Sequence, residues 1–444
     1  LPEVIFGTLG PLILFLLIYQ VSRSWKLGVL TSLTMATMPW HIYYSRSAFE
    51  VVIMLDLIML GTLLFYKRRF ELCVLSFALS MYSYSTAILF VPLWFVSLHF
   101  LSKTKPKIIS VLLFVIIVAP LAYQIAVGPA CGRFGGLNVF NQQELMRSIN
   151  DQRQEDNTPV SPLWHNKLEA GTSAIMANYL RAFSTDFLFI RGDPTYRHSI
   201  QIVGELLTIS FPFVLLGLWY FGSKRQWFWL AWLFLAPTPS SLTADGGYHA
   251  TRLFLMIPPL AVATGTGLLL VIRKLPKILN LLLLLLFTIY FIWLSHYYIV
   301  HYAKSSWRWW HVGFEQAMHQ LGELSPQYSR VFINDTYEPS LIRFLFWTSY
   351  SPAKFQRQFI VDQPKDNIVP NYNGFTFDGK YFFGNFNKSN WTEFILPNSL
   401  YLISQRDNVG GDWDWRRTPP ANIRVLFTST NAYDQPILYL ITRE

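Results

Sequence analysis

Charged side chains are few in this chain, and those that interrupt apolar stretches are the first place to look for chemistry. Burying an ionisable group in a membrane is costly, so such a residue marks a functional site by default. Arg46 and Glu50 stand four apart in Tyr43-Tyr44-Ser45-Arg46-Ser47-Ala48-Phe49-Glu50. On one helix they would share a face and pair, with Asp56 roughly 9 Å further along the axis. One reading is an ion pair anchoring a helix mouth; the other is a guanidinium held ready for phosphate. A second group is Thr243-Ala244-Asp245-Gly246-Gly247-Tyr248-His249-Ala250-Thr251-Arg252. Its glycines permit a sharp turn or a close backbone approach to a ligand. Asp245, His249 and Arg252 are its polar candidates, against the plainer reading of a solvated loop. A third stretch, 178–198, alternates apolar residues with Arg181, Arg191, Asp193 and Arg197. It reads either as an amphipathic helix on a membrane surface or as a loop covering a polar-headed substrate. Glu205 reads as interfacial.

These residues need elements to hold them, and composition says which kind. Of 444 residues, 52% are hydrophobic, 17% aromatic and only 14% charged, against roughly 25% charged in an ordinary soluble chain. Disorder, a collagen-like fibre, a disulfide scaffold and a wholly soluble enzyme are all disfavoured. A membrane core of about 30 Å needs about 20 helical residues. Apolar segments near that size run roughly 4–20, 27–41, 49–66, 70–84, 86–102, 107–127, 201–221, 226–238, 253–272 and 277–299. The expected architecture is therefore mainly α: a transmembrane bundle of about ten spans over 1–303, with a long loop at 129–200. A small α/β domain follows over 304–444. In it a helix is expected from about 307 to 324, strands near 330–333, 400–403, 425–427 and 437–441, and loops over 362–398.

Alternate loops carry the basic residues: Arg23 and Lys26; Lys67, Arg68 and Arg69; Lys103, Lys105 and Lys107; Lys224 and Arg225; Arg273, Lys274 and Lys277. Cytoplasmic loops collect Lys and Arg, so these loops are expected inside. The N-terminus, the 129–200 loop and the C-terminal domain are then expected outside a plasma (inner) membrane crossed many times. The net charge of +10 is explained by those loops, and no nucleic-acid partner is expected. Cys73 and Cys131 fall on opposite faces in this topology, so no bridge between them is expected. There is no Gly-rich phosphate loop. The histidines are scattered, and His296 and His301 are poorly spaced for a metal pair. No cofactor is expected, and a divalent metal has no support from the pattern.

Several of these segments, in this order, resemble the GT-C glycosyltransferases of the family-39 type, a group that includes protein O-mannosyltransferases and the lipid A aminoarabinose transferase. Leu1-Pro2-Glu3-Val4-Ile5-Phe6-Gly7-Thr8-Leu9 is similar to the segment that follows the family's first outer loop. Pro39-Trp40 through Ser45-Arg46 to Glu50 resembles another family segment, and Thr251-Arg252 with Pro258-Pro259 a third. The resemblance implies a sugar moved from a polyprenyl-phosphate donor to an acceptor glycan, lipid or protein outside the membrane, with inversion at the anomeric centre. It implies a catalytic Asp in the first outer loop, which would lie upstream of Leu1, the chain reading as an N-terminally truncated piece. Glu50 matches an acidic position near the carrier phosphate and is the candidate catalytic carboxylate. Arg252 matches a basic position at the membrane rim. Arg46, Asp56, Arg191, Asp245 and His249 complete the substrate-binding candidates. A transporter or lipid flippase using Arg46, Glu50 and Asp56 as its pathway is the alternative, and a scaffold whose outer domain binds a partner is a third.

Overall fold

The computed structural model describes residues 2–102, 108–128, 136–337, 340–359, 367–388, 390–407 and 414–444. They form two compact units, Leu1–His296 and Tyr297–Glu444. The first is helical: α1 (Pro2–Ser22), α2 (Trp25–Thr37), α3 (Pro39–Arg46), α4 (Val51–Tyr66), α5 (Phe70–Ser83), α6 (Thr86–Ser102) and α7 (Ile108–Val127). After these come α8 (Gln143–Glu155), α9 (Lys167–Arg181), α10 (Phe211–Ser223), α11 (Trp227–Leu235), α12 (Ile257–Ile272) and α13 (Lys277–Tyr297). The expected loop at 129–200 thus carries α8, α9 and a short helical turn at Ser161–Trp164, and α9 is capped by Asn166 accepting from Leu168 N and Glu169 N. Cys73 is buried and free; Cys131 lies outside the described residues.

The span count differs from the expected ten. Among the described residues, four helices are long and apolar enough to cross a membrane: Pro2–Ser22, Ile108–Val127, Phe254–Ile272 and Lys277–Ser305. A fifth arises if the bent pair α3 and α4 is one span. Phe70–Ser83, Thr86–Ser102 and Thr208–Ser223 are apolar but shorter. The cause lies in chain breaks that composition does not register. Pro39 forces Met38 into an extended conformation (φ −70°, ψ 126°), because a residue before proline avoids the helical region; α2 therefore stops after 13 residues. The 201–221 segment likewise loses its first seven residues to irregular chain before the helical run at Thr208.

Burial separates two kinds of helix. α12 is buried along most of its length and packs on α10 through glycines. A Cβ at Gly217 would stand 1.9 Å from the Ala263 carbonyl oxygen, and one at Gly267 equally close to that of Phe213. α7 and α13 instead expose long apolar faces, including Ile108, Leu112 and Ile116 on α7 and Leu281, Leu285 and Ile289 on α13. A face of that extent needs an apolar surrounding.

Three of the basic turns share one device. Arg23, Arg68 and Arg225 each adopt positive φ (56°, 58° and 52°) where a helix ends. At two of them the following amide closes the helix, Arg69 N on Leu64 O at 2.9 Å and Gln226 N on Phe221 O at 2.8 Å. The Tyr66 and Phe228 rings lie 5.6 Å apart, which brings the 67–69 and 224–225 turns to the same end of the bundle.

The second unit holds a six-stranded mixed sheet: β1 (Arg330–Asn334), β2 (Tyr372–Phe377), β3 (Tyr381–Phe386), β4 (Ser399–Ser404), β5 (Ile423–Thr430) and β6 (Pro436–Arg443). Their order is β2-β3-β1-β4-β6-β5, with β1 parallel to β3 and β4 and the other pairs antiparallel. Side chains alternate across it as the pleat requires. Val331, Ile333, Leu400 and Leu402 join the core under α14 (Phe314–Leu324) and α15 (Ser340–Trp347). Phe332, Tyr401, Ile403, Tyr439 and Trp415 form the core on the other face. Two expectations are corrected here. The helix begins at Phe314 rather than near 307, since Gly313 precedes it at φ 93°. The supposed loops over 362–398 contain the β2–β3 hairpin, whose three-residue loop between the paired Phe377 and Tyr381 puts Asp378 and Gly379 at φ 53° and 65°, conformations that Asp and Gly tolerate in hairpin turns.

Candidate functional site

At one end of the helical unit three separated stretches converge: 39–49, 191–205 and 243–252. Backbone bonds knit them, with Trp40 N donating to Glu205 O at 3.1 Å and the Trp40 indole donating to Ala250 O at 3.2 Å. The Tyr43 hydroxyl donates to the carbonyls of Tyr196 (3.0 Å) and Arg197 (2.7 Å). The Trp40 ring meets those of Phe187 and Phe254 edge-on. Aromatic packing thus fixes the frame in which the polar groups sit.

Asp193 is the organising residue. It is buried, and one carboxylate oxygen accepts from Thr195 N (2.9 Å) and the Thr195 hydroxyl (2.8 Å). The other accepts from Ala250 N at 3.0 Å, tying the loop after α9 to the glycine-flanked segment. Its own amide donates to Glu205 Oε1 at 3.0 Å. Gly192 (φ 79°) allows that approach, because a Cβ there would stand 2.5 Å from Ser199 Oγ and 2.8 Å from Glu205 Oε1. Burial pushes the Asp193 carboxyl above its ordinary range, against the pull of the Ala250 and Thr195 donors and of His198. Burial, and then the Asp193 charge, holds Glu205 well above the usual carboxyl range.

Around this pair runs a chain of hydroxyls and imidazoles. Tyr44 Oη lies 2.8 Å from Thr251 Oγ1, and both oxygens reach His198 Nδ1, at 3.1 and 3.2 Å. The His198 and His249 rings are 5.0 Å apart. Burial lowers His198 below its ordinary value, with Asp193 opposing. Burial, and then the charges of Arg252 and His198, lower His249 to about 4, so it is neutral near pH 7. Its Nδ1 is buried without a hydrogen-bond partner. Arg252 donates through Nη1 to Thr243 Oγ1 at 2.6 Å and to Asp245. For Asp245, burial acts upward but the Arg252 guanidinium outweighs it and leaves the carboxyl below its usual range. The Arg252 side chain is only 13% exposed while that of Asp245 is 65% exposed, so the cation is held from inside.

The sequence candidates therefore separate. Arg252, Asp245 and His249 come together here. Arg46 and Glu50 do not share a helix face as expected: α3 ends at Arg46, α4 begins at Val51, and their axes turn by 116°. Ser47 is extended (ψ 146°) and closes α3 on the Tyr43 carbonyl, which breaks the i,i+4 relation. Glu50 becomes the exposed residue preceding α4. The Arg191 side chain is 77% exposed and lies 3.8 Å from Asp186. Asp56 is buried within the bundle beside His41 rather than in this cluster. His198, Tyr44, Thr251 and Asp193 stood in the sequence only as parts of longer stretches. The signal that marks them is Asp193-Pro194-Thr195, where an Asp side chain bonds the backbone two residues on.

The same helical unit holds an apolar groove of about 320 Å³, walled by α2, α12, α13 and residues 206–210. Leu30, Leu33, Leu206, Leu207, Leu283 and Phe287 are among its lining residues. Leu206 directly follows Glu205, whose carbonyl accepts from Trp40 N, and Met38, also in the lining, lies two residues before Trp40. Among the described residues no group of three or more His, Cys, Asp or Glu side chains could hold a metal ion. No protein-family model, curated protein or solved structure matches this chain.

Proposed function

We propose that this protein is a membrane glycosyltransferase that moves a sugar from a polyprenyl-phosphate donor to an acceptor outside the membrane. The observation that carries this reading is one helical unit holding both an apolar groove, whose lining includes Leu206 next to Glu205, and a buried cluster of hydroxyl, imidazole and guanidinium groups. A ligand suited to both has a long aliphatic tail and a hydroxylated, anionic head. In this reading the groove takes the tail and Arg252 takes the phosphate through charge-assisted bonds. The acceptor oxygen bonds to the anomeric carbon as the bond from that carbon to the phosphate oxygen breaks. Arg252 stabilises the charge on the departing polyprenyl phosphate, and neutral His249 is the candidate to take the acceptor proton through Nδ1. Tyr44, Thr251 and His198 supply donors and acceptors for sugar hydroxyls. The resemblance to the GT-C enzymes supports the same reading.

The test is sugar transfer in proteoliposomes carrying a radiolabelled polyprenyl-phosphate sugar. Arg252→Ala is expected to lower the transfer rate at least about tenfold, which corresponds to losing about 1.4 kcal/mol of phosphate binding or leaving-group stabilisation. Movement of the labelled lipid across the bilayer without a new glycosidic bond would replace this reading with that of a flippase.

A further inference from the structure

We propose that Asp56 and His41 form an internal site that binds one proton together with a bridging water molecule, inside the helical bundle and apart from the polar cluster. Asp56 of α4 is 1% exposed and His41 of α3 is 3% exposed. Both carboxylate oxygens of Asp56 and Nε2 of His41 lack a hydrogen-bond partner. The two side chains adjoin the same glycine of α1, since a Cβ on Gly10 would stand 2.7 Å from Asp56 Oδ1 and 3.3 Å from His41 Nε2. These atoms are therefore at most about 6 Å apart, the sum of the two distances, a gap one molecule hydrogen-bonded to both can close. The other group near that point is the Met35 methyl, which has no proton to give.

A bare carboxylate in such surroundings is strongly disfavoured, and intramembrane acidic groups facing a bundle interior commonly serve proton binding. A metal ion is the poorer occupant, because structural and catalytic zinc take three or four protein ligands and no third His, Cys, Asp or Glu joins these two among the described residues. A proton and a water satisfy both partners. With the proton on Asp56, the carboxyl donates to the water and the water donates to His41 Nε2. With the proton on His41, Nε2–H donates to the water and the water donates to the carboxylate. The pair stays neutral overall in both arrangements. Other titratable side chains on these and the packed elements are Glu3 and Tyr19 of α1, Lys26 of α2, Tyr43, Tyr44 and Arg46 of α3, Tyr66 of α4, and Glu71, Cys73 and Tyr82 of α5. His41 is the one set against the same glycine as Asp56. It lies one helical turn before Tyr44, so the proton's position bears on the helix that carries Tyr44 to the polar cluster.

The site is independent of the sugar-transfer reading, and its test needs no substrate. Infrared spectra of the full chain in phospholipid vesicles, recorded in water and heavy water, report the carbonyl stretch of protonated carboxyls. Asp56→Asn, close to the carboxyl in shape, is expected to remove one such band. His41→Gln is expected to keep that band and shift it. Survival of every band in Asp56→Asn overturns the proposal. If that variant does not fold, the His41→Gln spectrum decides alone: a shifted band supports the dyad, and a spectrum superimposable on the parent's overturns it.

Discussion

At Asp193, three donors converge on one buried carboxylate, and its removal strands them. Asp193→Ala leaves the Ala250 and Thr195 amides without partners, and each such group costs about 1–3 kcal/mol. Asp193→Asn keeps an acceptor and is expected to be the milder change. Denaturation of the purified variants in detergent checks the order, and equal losses would count against the organising role. His249 makes a prediction about pH. Its folded-state value of about 4 lies below the ordinary histidine value near 6.5, so between these two the unfolded chain binds the extra proton. The His249 contribution to stability is therefore complete above about pH 6.5 and is lost as the pH falls towards 4. If the neutral imidazole is the base, transfer activity is expected to hold through that interval and to fall only as the pH nears 4, where the folded protein protonates His249. His249→Asn should flatten the thermal-stability profile relative to the parent, and parallel profiles would remove His249 as its source. Arg252, Asp245 and His249 were legible in the sequence because glycine-flanked charges at the edge of an apolar segment are rare. His198 and Tyr44 were not, because a histidine and a tyrosine 154 positions apart carry no local sign of meeting.

Elements bring those residues together through glycine contacts and chain breaks. The α10–α12 pair depends on Gly217 and Gly267, each with a carbonyl oxygen where a Cβ would go. Small residues let helix backbones approach closely in membranes. Gly217→Ala and Gly267→Ala are each expected to destabilise by about 1–3 kcal/mol through overpacking. Gly222→Ala, where a Cβ would meet nothing within 4 Å, is the control and is expected to be neutral or slightly stabilising. Thermal midpoints in detergent measure all three, and a stable Gly217→Ala would show that the helices separate without loss. The break after Arg46 matters in a different way. It turns what reads as one amphipathic entry into two helices 116° apart, directing Tyr43 and Tyr44 into the cluster and leaving Glu50 exposed. Short β-rich runs made β1, β4, β5 and β6 readable. The β2–β3 hairpin was hidden by its asparagines and glycines, although Asp378-Gly379 between aromatic runs was a usable hairpin signal.

For the whole molecule, the question is which end faces out. Arg68 and Arg225 belong to turns gathered at one end of the helical unit, and the loops bearing Asp193, Asp245 and Tyr43 converge in the polar cluster. With Cys73 and Cys131 replaced, Asp245→Cys is expected to react with a membrane-impermeant maleimide applied outside intact cells, and Lys224→Cys is expected to be protected. The reverse pattern would put the cluster in the cytoplasm and end the outward-facing transferase reading.

Sequence alone determined the apolar, helical character of the first three hundred residues, the basic residues of the turns at 67–69 and 224–225, and an α/β unit at the C-terminal end; the basic loop with Lys103, Lys105 and Lys107 lies outside the described residues. Those features follow from composition and short-range periodicity, which are properties of consecutive residues. Only the tertiary structure decided how many helices are long enough to span a membrane, because a proline or a positive φ ends a helix without changing its hydropathy. It alone joined Asp193 to Ala250, Tyr44 to His198 and Asp56 to His41 across Gly10. Contacts of that kind depend on shape, burial and the absence of a side chain, none of which can be read from one stretch of chain.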